Sequence, residues 1–287
     1  MAINNNAVLA NLSISVWTAR KYDEQVSKSI ESNYNASRSG RYNKILIGSE
    51  ALAGIRRTVS MARTFHYQNT LPWMDNGGRL LPTANYFEYL SGMENMREEF
   101  NRQVAKFLAL YPDHQSEARQ RLGPMYCDDD YPDQSSLEDR YNFKLQILPV
   151  PHEGDFRVGL DENELATMRE ELKQELASAS QEAMGDLSSR LYKAVSHLTD
   201  KLSQSDAVFR DSIIGNLADI CELIPRLNVT GDSRLERINT EVKASLAALS
   251  PRELRENPEK RSQAARDAMR IMDKMKGYLP INSGAAA

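Results

Sequence analysis

Residues 161–202, DENELATMREELKQELASASQEAMGDLSSRLYKAVSHLTDKL, decide how the chain is built. Asp161 offers an N-cap oxygen and Glu164 stands three positions on, a pairing that opens a helix by satisfying its first free N–H groups. Beyond it Leu165, Met168, Leu172, Leu176, Ala179, Ala183, Leu187, Leu191, Val195, Leu198 and Leu202 form one apolar stripe. Leu165, Leu176, Leu187 and Leu198 are spaced by eleven, near 3.67 residues per turn, which predicts a straight or slightly right-handed helix pair. A helix of about 40 residues spans about 60 Å, more than a domain core covers. The stripe must therefore be buried by later helices, expected near 206–224, 231–249 and 259–276, or by another subunit. Pro225, Gly231, Pro251 and Pro258 punctuate those helices. Only three of the twenty-one aromatic residues fall within 161–287. That region reads as an all-helical oligomerisation region, building a dimer or tetramer through its C-terminal helices.

Residues 1–160 read differently. Leu12–Trp17 alternates apolar and polar residues and predicts a strand. A short polar helix is expected around Lys21–Glu31, followed by an Asn/Ser/Gly-rich loop over Asn33–Asn43. Ile45, Leu52, Ile55, Val59 and Ala62 predict an amphipathic helix from Lys44 to about Phe65. Leu71–Leu81 carries a hairpin signal in Asn76-Gly77-Gly78, with Pro72 and Pro82 limiting both strands. A helix over about Asn85–Tyr111 is expected to bury Phe87, Leu90, Phe100, Val104, Phe107 and Leu108. Pro112–Ser136 is polar and acidic, with helical potential only near Gln115–Leu122. Phe143–Leu148 and Asp155–Gly159 read as two further strands. The expected fold class is thus α+β: a small antiparallel sheet with helices over 1–160, then an all-helical region with a long helix over 161–287.

Apolar residues make up 41% and charged residues 26% of the 287, the profile of a soluble globular chain. Two cysteines are too few for a disulfide framework. The N-terminus has neither a positive n-region nor a continuous apolar h-region, and no apolar run approaches the roughly 18 residues that span a bilayer. A cytoplasmic location without membrane contact is expected. The net charge of −4 conceals an asymmetry. Residues 1–82 hold ten Lys/Arg against five Asp/Glu, residues 83–160 eight against fourteen, and residues 161–287 eighteen against twenty-one. A basic N-terminal third is balanced by an acidic remainder.

The densest chemical constellation lies in 17–67. Trp17, Tyr22, Tyr34, Tyr42, Phe65 and Tyr67 are interleaved with Arg20, Lys21, Lys28, Arg38, Arg41, Lys44, Arg56, Arg57 and Arg63. Unpaired nucleic acid needs cations that follow the phosphates and aromatic faces on which bases stack, each stack contributing roughly 1–3 kcal/mol. The expected binding residues are Arg20, Lys21, Lys28, Tyr34, Arg38, Arg41, Tyr42, Lys44, Arg56, Arg57 and Arg63, with loop 33–43 at their centre. Taken singly, each has a bland reading: Trp17 as core, helix arginines as solvated side chains. Enzymatic signatures are missing from the sequence. The four histidines are scattered without ligand spacing, and no P-loop, GxSxG elbow or Cys–His pairing is present. Cys127-Asp128-Asp129-Asp130 with Asp133 lacks the alternating ligands of a calcium loop and reads as a solvated acidic stretch. No enzyme activity, cofactor or metal is expected.

Leu12–Lys21, Leu71–Pro82 with Asn85-Tyr86-Phe87, and the segment Phe143–Leu160 resemble a phage protein family long described as a domain of unknown function. Within it the likeness is to the single-stranded-DNA-binding RNA polymerase cofactors of podophages that carry a virion RNA polymerase. The likeness covers roughly residues 10–225 and rests on structural rather than catalytic motifs. It implies a fold unlike the OB-fold, preference for single-stranded DNA, self-association, and recruitment of a phage RNA polymerase to opened promoters. Two other classes fit the same residues: a single-strand annealing recombination protein, and an interaction adaptor that touches no nucleic acid.

Overall fold

The computed structural model describes residues 3–74, 77–155, 161–204 and 209–277. In chain order they form β1 (Ala7–Ser15), β2 (Arg20–Tyr22), α1 (Glu24–Asn33), β3 (Asn43–Ile45), α2 (Ala53–Asn69), β4 (Leu71–Pro72), β5 (Arg79–Pro82), α3 (Tyr86–Ala109), α4 (Tyr111–Leu122), α5 (Gln134–Glu138), β6 (Asn142–Pro149), α6 (Glu162–Ser203), α7 (Asp211–Leu227), α8 (Ser233–Val242), α9 (Pro251–Glu256) and α10 (Pro258–Lys276). Four strands make a sheet in the order β4-β5-β1-β6, and β2 with β3 makes a separate ribbon. This is the α+β class read from the sequence, with the long helix where the apolar stripe lies.

The units do not divide at residue 160. One comprises Met1–Asn11, Tyr67–Tyr89 and Gln146–Ala287; the other comprises Leu12–His66 and Leu90–Leu145. The reason is the reach of the α6 stripe. Leu187, Leu191, Val195 and Leu198 are fully buried in one core with Ala7 and Leu9 of β1, Leu71, Trp73, Leu80 and helices α7–α10. The hairpin and the first strand thus supply apolar surface to the helical region. Asp161 caps α6 as expected, accepting from the N–H groups of Asn163 (2.8 Å) and Glu164 (3.0 Å). Arg190 on α6 also reaches the hairpin. Its guanidinium donates to the carbonyls of Gln68 and Thr70 at 2.8 Å each, while Asp186 pairs with it at 2.6 Å. Gln68 lies in the last turn of α2 and Thr70 just beyond it, where helix carbonyls have no donor within the helix.

Several local expectations differ from the structure. Arg20–Tyr22 is a strand, not a helix start; α1 begins at Glu24, after Asp23 caps it by accepting from Val26 N–H at 3.0 Å. The helix expected from Lys44 begins at Ala53, because Asn43–Ile45 pairs as β3 and Ser49–Leu52 forms a 3-10 turn. Ile45 and Leu52 are seven apart, a spacing that mimics helix periodicity. Phe87, expected in the core, is 82% exposed and packs edge-to-face with Tyr86. Asp155 ends a short 3-10 turn; the rest of the strand expected at Asp155–Gly159 and Asn76 of the hairpin turn lie outside the described residues.

Pro225 lies inside α7 instead of ending it. Proline has no N–H, so the carbonyl of Cys221, four residues earlier, loses its helical donor. Buried Asn239 of α8 replaces it, its side-chain amide donating to Cys221 O at 2.9 Å. Asn239→Ala is therefore expected to cost about 1–3 kcal/mol in urea unfolding, the cost of leaving a buried carbonyl unpaired. Adding Pro225→Ala restores the helical N–H and should recover part of that loss; additive effects would refute the coupling.

Candidate nucleic-acid interface

In the ribbon Arg20 stands opposite Ile45, Lys21 opposite Lys44 and Tyr22 opposite Asn43. Strand side chains alternate, so Arg20, Tyr22, Asn43 and Ile45 share one face. That face is open: Tyr22 and Ile45 are each 46% exposed. The Arg41 guanidinium carbon lies 5.7 Å from the centroid of the Tyr22 ring, a cation held over an aromatic face. The loop that carries Arg41 is latched at its base. Tyr42 N–H donates to Ser27 Oγ (3.0 Å), Ser27 donates to Asp23 O (2.7 Å), and Asp23 N–H donates to Tyr42 O (3.0 Å). Between these points Tyr34 is 79% exposed, and Asn35 and Arg38 take left-handed conformations at φ 50° and 52°. Arg38 thus stands on a loop whose backbone is strained for any residue but glycine.

The ribbon is held from behind by the segment that follows α3. Arg121 Nη2 donates to Ile45 O (2.9 Å) and Leu46 O (3.1 Å), and Tyr131 OH donates to Leu46 O (3.0 Å). Lys44, expected among the contact residues, points into this anchorage and is 5% exposed. It donates to Met125 O at 2.7 Å and pairs with Asp130 at 2.5 Å and Asp23 at 3.7 Å. Burial pulls its pKa down, but the Asp130 and Asp23 carboxylates outweigh that and hold the ammonium above the ordinary lysine value. Lys44 leaves the candidate set, because its charge is already neutralised.

The remaining candidates fall into groups. Arg20, Tyr34, Arg38 and Arg41 gather around the ribbon face and its loop; Lys21 is exposed on the same strand, and Tyr42 is half-buried. Lys28 is exposed but paired with Glu24 at 2.7 Å. Arg56, Arg57 and Arg63 are exposed on α2, which carries no acidic residue, and Arg63 donates weakly to Ile14 O at 3.4 Å. Among the described residues no hydrogen bond, ion pair or ring contact joins these three arginines to the ribbon set, and neither set of arginines has a carboxylate partner. The other aromatics of 17–67 are spent elsewhere. Trp17 is buried against Phe107 (6.4 Å between ring centroids) and Tyr111 (6.0 Å), and Trp73 is also core. Phe65 fills the space left by Gly92, where a Cβ would fall 2.3 Å from its ring. Tyr22 and Ile45, absent from the expected contact residues, complete the ribbon face. The strand period would have found them, had the strand been recognised.

Charge segregation in sequence does not survive folding. The unit Leu12–His66 with Leu90–Leu145 holds sixteen Lys/Arg against fifteen Asp/Glu, a net of +1. Several of its acids carry structure: Asp130 holds Lys44, Asp128 meets Arg119 at 2.6 Å, and Asp133 caps α5. Hydrogen bonds from Ser135 and Ser136 keep the Asp133 carboxyl well below the usual carboxylate range. Among the described residues no His, Cys, Asp and Glu side chains gather to hold a metal ion, and no helix is long and apolar enough to cross a membrane. The chain matches no family model, no curated protein and no solved structure.

Lys44→Met is expected to destabilise the protein by about 3–5 kcal/mol in urea unfolding at neutral pH, because Asp130 is left as a buried, unpaired charge. The wild-type pair should contribute fully below the ordinary lysine pKa and fade as pH rises through the raised value, so the mutant gap should narrow in alkali. An equal gap at neutral and strongly alkaline pH would refute the assignment.

Proposed function

We propose that this protein binds single-stranded nucleic acid, preferentially DNA, on the face formed by Arg20, Tyr22, Ile45 and the Tyr34–Arg41 loop. One observation carries the reading: an exposed tyrosine ring with a carboxylate-free arginine over it, beside further unpaired arginines, on a ribbon pinned from behind. Tyr22 and Tyr34 supply stacking surfaces, Arg20, Arg38 and Arg41 supply phosphate contacts, and Arg56, Arg57 and Arg63 extend the basic surface along α2. The resemblance to podophage polymerase cofactors adds the context: a transcription cofactor that brings a phage RNA polymerase to opened promoters. The near-neutral unit supports a second reading, an interaction adaptor, because no broad positive field surrounds the ribbon.

Gel shifts with labelled oligo-dT and duplex separate these readings from each other and, with an annealing assay, from a recombination protein. Arg38→Gly with Arg41→Ala removes two charges without straining the left-handed loop position. Affinity for oligo-dT should fall, and the slope of log K against log salt should shrink by about 1.4, at roughly 0.7 per lost single-strand phosphate contact. An unchanged slope and affinity would remove the ribbon face from the site, and no shift at all would favour the adaptor.

Self-association belongs to the same proposal, but not through the far C-terminus. Helices α7–α10 already bury the later half of the α6 stripe. Leu165, Met168, Leu172 and Leu176, in the first four turns, stay partly exposed and continue that stripe. We place the contact between copies there. Leu165→Glu with Leu172→Glu should lower the mass seen by light scattering with the far-UV CD spectrum unchanged; a monomeric wild type or an unaltered oligomer would refute it.

A further inference from the structure

Within the unit Leu12–His66 with Leu90–Leu145, a cleft of about 660 Å³ opens between the Ser49–Leu52 turn, the start of α2, the end of α3 and α4. Its floor is apolar: Phe107 and Ala118 are buried there, and Leu110 is left 41% exposed. The His114 imidazole is stacked on the buried Phe107 ring, 17° between planes and 5.8 Å between centroids, so the imidazole is the ring offered to the cleft and Phe107 backs it. Glu117 Oε2 stands 3.3 Å from His114 Nδ1 and orients the ring. The rim mixes signs, with Glu50 and Glu117 against Lys106 and Arg121. Arg121 joins this cleft to the ribbon, since its Nη2 holds the carbonyls of Ile45 and Leu46.

These features select a ligand class. A bare anion would meet two carboxylates as well as two cations, and a purely apolar ligand would gain nothing from the four rim charges. A flat heteroaromatic body suits the imidazole of His114, held from behind by Phe107. Ring amino groups or sugar hydroxyls can donate to Glu50 and Glu117, and an anionic end can reach Lys106 and Arg121. The volume lies within the range of ordinary small-molecule sites, roughly 300–1,000 Å³. We infer that this cleft binds one nucleotide, its base against the His114 imidazole that Phe107 backs and its phosphate at Lys106 and Arg121. The inference does not rest on the single-strand reading, because a free mononucleotide is enough to occupy the cleft.

Calorimetric titration of the full chain with adenosine monophosphate, cytidine monophosphate and ribose 5-phosphate tests it. At least one of the nucleotides should bind saturably and at least about tenfold more tightly than the sugar phosphate, as expected of a stacked base. Lys106→Glu and His114→Ala should each weaken the nucleotide at least about threefold with the far-UV CD spectrum unchanged. Arg38→Gly with Arg41→Ala should leave mononucleotide binding as it was, which separates this cleft from the ribbon face. Equal binding of nucleotide and sugar phosphate, no saturable binding, or indifference to both cleft variants would overturn the proposal.

Discussion

A lysine ammonium taken out of water must bring its counter-charge with it, and in the ribbon-bearing unit that demand falls on Lys44. Its partners come from both sides of the chain's charge asymmetry: Asp23 from the basic third, Asp130 and the Met125 carbonyl from the acidic stretch. The pairing draws the acidic segment under the ribbon, where Arg121 bonds Ile45 of β3 and Tyr131 bonds Leu46 just after it. A three-residue, two-stranded ribbon has too little pairing to stand alone in water. Here the anchorage behind it does the holding, and the outward face stays exposed.

The same pairing sets the electrostatics. A basic segment of net charge +5 and its acidic neighbour fold into one unit of net charge +1, so under the proposed reading long-range attraction of a polyanion contributes little. What remains is short-range: arginines without carboxylate partners beside exposed tyrosine rings. Binding of that kind depends on how well the face is held in shape more than on total charge.

Much of the architecture could be read from the chain because it rests on long periodic signals. The α6 stripe is regular over three eleven-residue intervals, and Asp161 has one role available to it as a cap. The ribbon was hidden for the opposite reason. Arg20–Tyr22 and Asn43–Ile45 are three residues each, too short for a period of two to show, and Ile45 imitates the first position of the helix behind it. Trp17 illustrates a further limit. Alternation places it on a face, but only the arrival of Phe107 and Tyr111 from α3 and α4, ninety residues on in sequence, makes that face interior. The site inherits these limits: loop residues Tyr34, Arg38 and Arg41 were legible as exposed, whereas Lys44 required knowledge of a carboxylate eighty-six positions away.

Long-range pairing also explains why the two candidate surfaces of this unit are mechanically related. Arg121 lines the cleft beside Phe107 and His114, and through Nη2 it holds the β3 carbonyls behind the ribbon face. A guanidinium is rigid and planar and both bonds run from Nη2, so a ligand in the cleft that engaged Nη2 would weaken them, whereas one that engaged Nε or Nη1 would leave them in place. Under the two proposals, occupancy of the cleft and the mounting of the ribbon would meet at a single side chain. Whichever sign the coupling takes, it acts on the face that carries Tyr22 and Arg41, and linkage requires it to act equally in the reverse direction.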